Sequence, residues 1–104
     1  MLDDVISLIS QTQAQDAAGV IHDATERREV LCQVGEITRA EFYNAGRSGL
    51  NPEFMVSVHF TDYEGEELAE FRGQSYAIYR AYHIPGTDYM ELYLSRKGGT
   101  NGKE

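Results

Sequence analysis

A single cysteine, Cys32, stands in the 104 residues. One thiol cannot form an internal disulfide, and no CxxC pair is present to hold zinc. Cys32 lies in the apolar stretch Val30-Leu31-Cys32-Gln33-Val34, where a free cysteine reads as a small buried strand residue. Long apolar runs are missing too: none approaches the ~20 residues a membrane span needs. The opening Met1-Leu2-Asp3-Asp4 is acidic where a secretory signal is basic, so folding inside the cell is expected. Basic residues are few, nine against 17 acidic, and the formal net charge is -8. They are dispersed, with only Arg27-Arg28 and Arg96-Lys97 adjacent. Phosphate contact by Lys and Arg supplies most non-specific DNA affinity, so conventional nucleic-acid binding is not expected. An acidic channel through which DNA passes without sticking is compatible with this charge.

Catalytic spacing is equally scarce. His22, His59 and His83 are far apart, and no HExxH pattern joins them. They read as half-exposed strand residues, with a metal site assembled in space alongside Asp62 or Asp88 as the competing reading. The acidic stretch Asp62–Glu67 does not have EF-hand spacing and reads as a solvated hairpin tip, whose charge discourages edge-to-edge pairing. Gly46 and Gly49 follow a helix rather than open one, and the GxxxxGK[ST] order is absent, so no phosphate loop is formed. No enzyme activity and no cofactor are expected.

What remains is strand, turn and one helix. Charged residues are 25% and hydrophobic ones 41%, the balance of a globular domain rather than a disordered chain. Its length fits one domain, able to bury roughly two-thirds of its unfolded surface. Val5-Ile6-Ser7-Leu8-Ile9 is strand or short helix by pattern. A hairpin is preferred: this strand, a turn within Gln13–Gly19, and a return from Val20 to Val34, with helix the alternative for the first strand and for Ala24–Glu29. Phe54, Val56, Val58 and Phe60 alternate with Met55, Ser57, His59 and Thr61, as in a half-buried strand. Leu68–Phe71, Tyr76–Ile84 and Tyr89–Leu94 follow as strands, separated by turns at Arg72-Gly73 and at Pro85-Gly86-Thr87-Asp88, the latter type II. Met90, Leu92 and Leu94 share a face. Tyr76, Tyr82, Tyr89 and Tyr93 divide between surface and cross-strand packing.

The helix runs from Ile37 to Gly46. Thr38 and Glu41 have the spacing of a capping box, and Ile37 and Phe42 that of a hydrophobic staple. Gly46 is the expected left-handed terminator. Gly49 loosens the following loop, and Pro52 keeps Asn51 extended. The prediction is therefore a mainly β protein: a small antiparallel β-barrel of about six strands over residues 1–97, an inserted helix and loop over about 36–53, and a disordered tail over 98–104.

The segment from Ile37 to Glu53 resembles the head-closure (head–tail joining, stopper) family of long-tailed phages and prophages. Typical members carry S-x-x-E-F-x-x-A-G-x-x-G-L-x-P-E, with Thr38 here in the first position. Thr38, Glu41, Phe42, Gly46, Gly49, Leu50 and Pro52 carry the match. The stretch from Tyr63 through Arg80 resembles the family's Y-x-G-x-x-Y-x-I-x-R hairpin, and Asp3–Ile9 and Thr87–Leu94 are similar again. The resemblance implies a small barrel with an inserted segment, monomeric when isolated, that forms a ring beneath the portal–adaptor complex, retains packaged DNA and docks the tail-completion protein. It implies location in the virion at the head–tail interface, after synthesis in the host cytoplasm, with no cofactor and no catalysis. The Gln13–Gly19 turn departs from the family by its shortage of aromatic and proline residues. A tail-completion or adaptor protein of the same connector is the neighbouring alternative, and a metal-dependent enzyme the remote one.

Overall fold

The first apolar run is a strand, paired residue by residue with the segment that follows it. Its inward side chains Ile6 and Leu8 are fully buried while Val5 is exposed, and Ser7 between the two is also covered, at 7%. The computed structural model describes residues 2–96, with the side chains of all of these except Thr12, His22 and Asp23. The expected 98–104 tail lies outside them, as does the side chain of His22. The elements are β1 (Asp4–Gln15), β2 (Ile21–Gly35), α1 (Arg39–Arg47), β3 (Pro52–His59), a 3-10 turn (Phe60–Asp62), β4 (Leu68–Phe71), β5 (Gln74–His83) and β6 (Tyr89–Arg96). The six strands close into a barrel in the order β1-β2-β3-β6-β5-β4, and every neighbouring pair is antiparallel. The mainly β class with one short helix is thus the observed one.

β1 and β2 pair from Asp4↔Cys32 to Gln15↔Ile21. The helical alternatives for residues 5–9 and 24–29 are not adopted, because each residue in this hairpin has a cross-strand partner that a local helix would forgo. The turn is held by the Asp16 carboxylate, which accepts from the amides of Ala18 and Val20, each at 2.9 Å. The barrel uses only part of this hairpin. β4 pairs with β1 at Ser7–Ile9 alone, and β3 pairs with β2 at Cys32–Gly35 alone. From Ser10 outward the two strands continue as a ribbon. Six strand residues span about 20 Å, in keeping with extents of 51 × 35 × 24 Å.

The core gathers Ile6, Leu8, Cys32, Val56, Val58, Phe71, Leu92 and Leu94. Phe54 meets Phe71 and Tyr76 edge-on, with centroids at 5.3 and 5.7 Å, the geometry favoured by the ring quadrupoles. Phe60 does not continue the inward series begun by Phe54, Val56 and Val58. Its amide donates to the Asp88 carbonyl at 2.7 Å, the chain turns there into the 3-10 segment, and the ring is left exposed.

Two turns follow their local chemistry. Arg72 and Gly73 both take positive φ, 53° and 79°, the type I′ geometry that matches strand twist. At the β5–β6 connection Thr87 N–H donates to Ile84 C=O at 3.2 Å and Gly86 has φ 78°, as type II requires. The acidic stretch Asp62–Glu67 departs from the solvated tip expected of it. Glu66 is only 6% exposed. Its carboxylate accepts from Arg28 Nη2 at 2.6 Å and from the Glu64 amide at 2.8 Å, while Arg28 also donates to the Asp62 carbonyl at 2.6 Å. The ribbon base reaches over this loop and supplies the cation that makes burial of a carboxylate tolerable.

Candidate partner-binding surface

α1 sits between β2 and β3 and is capped at both ends. Thr38 is the N-cap, its hydroxyl accepting from the Glu41 amide at 3.1 Å. The other half of the capping box is not made. Glu41 turns its carboxylate away from the cap and onto the barrel wall, where Oε2 accepts from the Tyr79 hydroxyl at 2.8 Å and Oε1 accepts from Arg80. The C-terminal expectation also needs correction. Gly46 lies inside the helix and does not take positive φ; Gly49 does, at 83°. Gly49 N–H donates to Gly46 C=O and Leu50 N–H to Ala45 C=O, both at 3.0 Å, the paired bonds of a Schellman motif with glycine at its left-handed position. The insertion is accordingly shorter than 36–53, since Pro52 already begins β3 and is buried.

The segment after the helix is stitched to β6. Asn51 N–H donates to Ser95 Oγ at 3.0 Å, and Arg96 N–H donates to Asn51 C=O at 3.1 Å. Beneath Arg80 lies Tyr93, with the guanidinium carbon 4.7 Å from the ring centroid. β6 is therefore buried on both faces, Leu92 and Leu94 inward and Tyr93 and Ser95 outward. A register shift between Ile78 and Arg80 gives Tyr79 no partner in the β5–β6 ladder, and such a bulge re-aims side chains. Burial first, then the nearby Glu41 and Tyr93, raises the Tyr79 phenol well above its ordinary value. Tyr93 is pushed up to about 12 by burial and by its bond to Glu91. Both remain neutral hydroxyl donors at physiological pH.

Of the seven insertion residues singled out by sequence, Thr38 and Glu41 meet at the N-terminus, and Gly46, Gly49 and Leu50 meet at the C-terminus. Pro52 belongs to the barrel. Phe42 points outward at 55% exposure, beside Tyr43 at 68%, so it is available to a partner. Tyr79, Arg80, Arg39, Tyr43 and Arg47 were not singled out. The signal for Arg39, Tyr43 and Arg47 was their spacing, since they fall four apart on one helical stripe. Tyr79 and Arg80 offered no local signal, because their partner Glu41 is 38 and 39 residues away.

The four tyrosines singled out by sequence divide evenly, Tyr76 and Tyr93 buried, Tyr82 and Tyr89 exposed. His59 and His83 sit at one rim, their rings 6.0 and 5.0 Å from that of Phe60. His59 is hydrogen-bonded to Thr61 Oγ1 at 2.8 Å, and His83 Nε2 donates to the Thr87 carbonyl at 2.8 Å. Among the described residues no group of three His, Cys, Asp or Glu is placed to hold a metal. A cleft of about 210 Å³ lies between Ile9–Gln11 and Gly65–Leu68, smaller than the ~300 Å³ at which ligand sites begin. No helix among the described residues is long and apolar enough to cross a membrane. No protein-family model matches the chain, and no curated protein does so.

Proposed function

We propose that this chain is a virion structural protein, the head-closure component of a tailed phage or prophage. In this reading copies of the barrel form a ring under the portal–adaptor complex, retain the packaged DNA and present the surface on which the tail docks. The observation that carries the reading is the helical insertion displayed on a closed barrel, with Phe42 and Tyr43 turned to solvent and Glu41 fastening it from behind. Closure leaves the barrel few free edges, so its contacts are made by what projects from it. The insertion is held by a polar latch with little apolar burial, Ala45 being the buried helix residue. A contact of that kind can be exchanged for a partner's at small cost. The net charge of -8 suits a ring through which DNA passes without ion pairing.

The test is assembly. Electron cryomicroscopy of particles should locate the chain between the portal–adaptor ring and the tail. A chain with residues 39–50 replaced by a short Gly-Ser link should still form the barrel and should no longer join heads to tails. Particles that join normally with that variant, or lysates in which the chain never accompanies portal or tail-completion proteins, overturn the proposal. Localisation on the tail side of the closure plane assigns it instead to tail completion.

A further inference from the structure

The arginines of this chain divide into two sets. Arg27, Arg28, Arg72, Arg80 and Arg96 each form an ion pair with a carboxylate of the same molecule, Glu70, Glu66, Asp4, Glu41 and Glu53 respectively. Arg39 and Arg47, both on α1, form none among the described residues. With Tyr43 they make a stripe of four-residue spacing on the side of the helix opposite Glu41 and Ala45, which face the barrel. Phe42 flanks the stripe. In an acidic protein, this helix face is both cationic and aromatic.

The tip of the β1–β2 ribbon has the opposite character. Between Ser10 and Glu26 the sequence holds two carboxylates, Asp16 and Asp23, and no Lys or Arg. Val20 and Ile21 at the turn are 52% and 62% exposed, next to Asp16. An acidic tip with two aliphatic side chains complements a basic face with two aromatic rings. The two patches do not cover one another within the molecule, since both are exposed, and the ribbon projects about 20 Å past the barrel.

We propose that α1's outer face receives the ribbon tip of a second copy of this chain. The contact joins two different patches, so it is heterologous, and repetition of it generates a ring when the rotation closes. This rests on the ring-forming reading above and names the contact that would build the ring.

Sedimentation velocity over a concentration series tests it. The wild-type chain, expected to be monomeric when dilute, should gain mass only as its concentration is raised. Arg39→Glu/Arg47→Glu, and separately Val20→Ser/Ile21→Ser, should each weaken self-association about tenfold or more, with unchanged circular dichroism. Each variant keeps one intact patch, so a one-to-one mixture should recover a dimer and stop there. Should the charge-reversed helix misfold, Phe42→Ser/Tyr43→Ser serves in its place. A wild-type chain that stays monomeric throughout, variants that associate as the wild type does, or a mixture that stays monomeric overturns the contact. Co-sedimentation with connector particles is read separately: variants that lose self-association yet still bind the connector uphold this contact, whereas failure of every form to bind bears on the function proposed above.

Discussion

The Glu41 carboxylate and the Tyr79 hydroxyl meet at 2.8 Å, joining the first turn of α1 to the bulge of β5. With Arg80 on the other oxygen, this pair fixes how the insertion lies on the barrel, and so which of its side chains face outward.

Glu41→Ala removes both bonds and leaves the Tyr79 hydroxyl without its acceptor. Bonds to a charged group contribute about 1.5–3 kcal/mol when shielded, and the half-exposed Arg80 lowers that, so a loss of about 1–2 kcal/mol is expected in urea unfolding. Amide exchange across α1 should quicken more than exchange in β3 and β6. Equal protection of α1 in the variant and the wild type contradicts the latch.

The two glycines of the insertion should respond with opposite sign. Gly49→Ala places a Cβ at φ 83° and should cost about 1–2 kcal/mol. Gly46→Ala meets no atom within 4 Å in a helical conformation and should stabilise by about 0.5–1 kcal/mol. Denaturant midpoints of the two variants decide it.

Acid should release the Arg28–Glu66 pair. Burial alone raises the Glu66 carboxyl, but the Arg28 hydrogen bond and the Glu64 amide outweigh it, so its pKa lies below the ordinary 4.5. A depressed carboxylate contributes stability that is complete above the unfolded pKa and is lost as pH falls through the folded one. The stability of the wild type should therefore drop below pH 4.5 more steeply than that of Glu66→Gln, whose lower plateau is flatter there. Parallel curves for the two proteins contradict this assignment.

Cys32 should be silent in the native protein. Its thiol is fully buried, and burial pushes its pKa up to about 11, so the reactive thiolate is scarce at neutral pH. A chromogenic disulfide reagent should label it only at the rate of unfolding, and fully in denaturant.

Much of the barrel was legible because its signals are short-range. Phe54, Val56 and Val58 declare their face by alternation, Pro85-Gly86 declares its turn by the dihedrals those residues accept, and Thr38 declares a helix start. The left-handed glycine that ends the helix was misplaced by three residues, because Gly46 and Gly49 satisfy the same local rule. What separates them is the reach of the Leu50 amide to Ala45. Phe60 continued the pattern of β3 but not its backbone, which Asp88 draws aside. Glu66 read as solvated because nothing near it in sequence announces Arg28.

Strand, turn and cap were settled by residues two to four positions apart, since backbone dihedrals and side-chain alternation depend on immediate neighbours. The fate of each charge was not. Whether a carboxylate is a latch or a buried anchor depends on which cation barrel closure carries to it. Glu41 and Glu66 are alike as letters, and they differ here because folding places Arg80 against the first and Arg28 against the second.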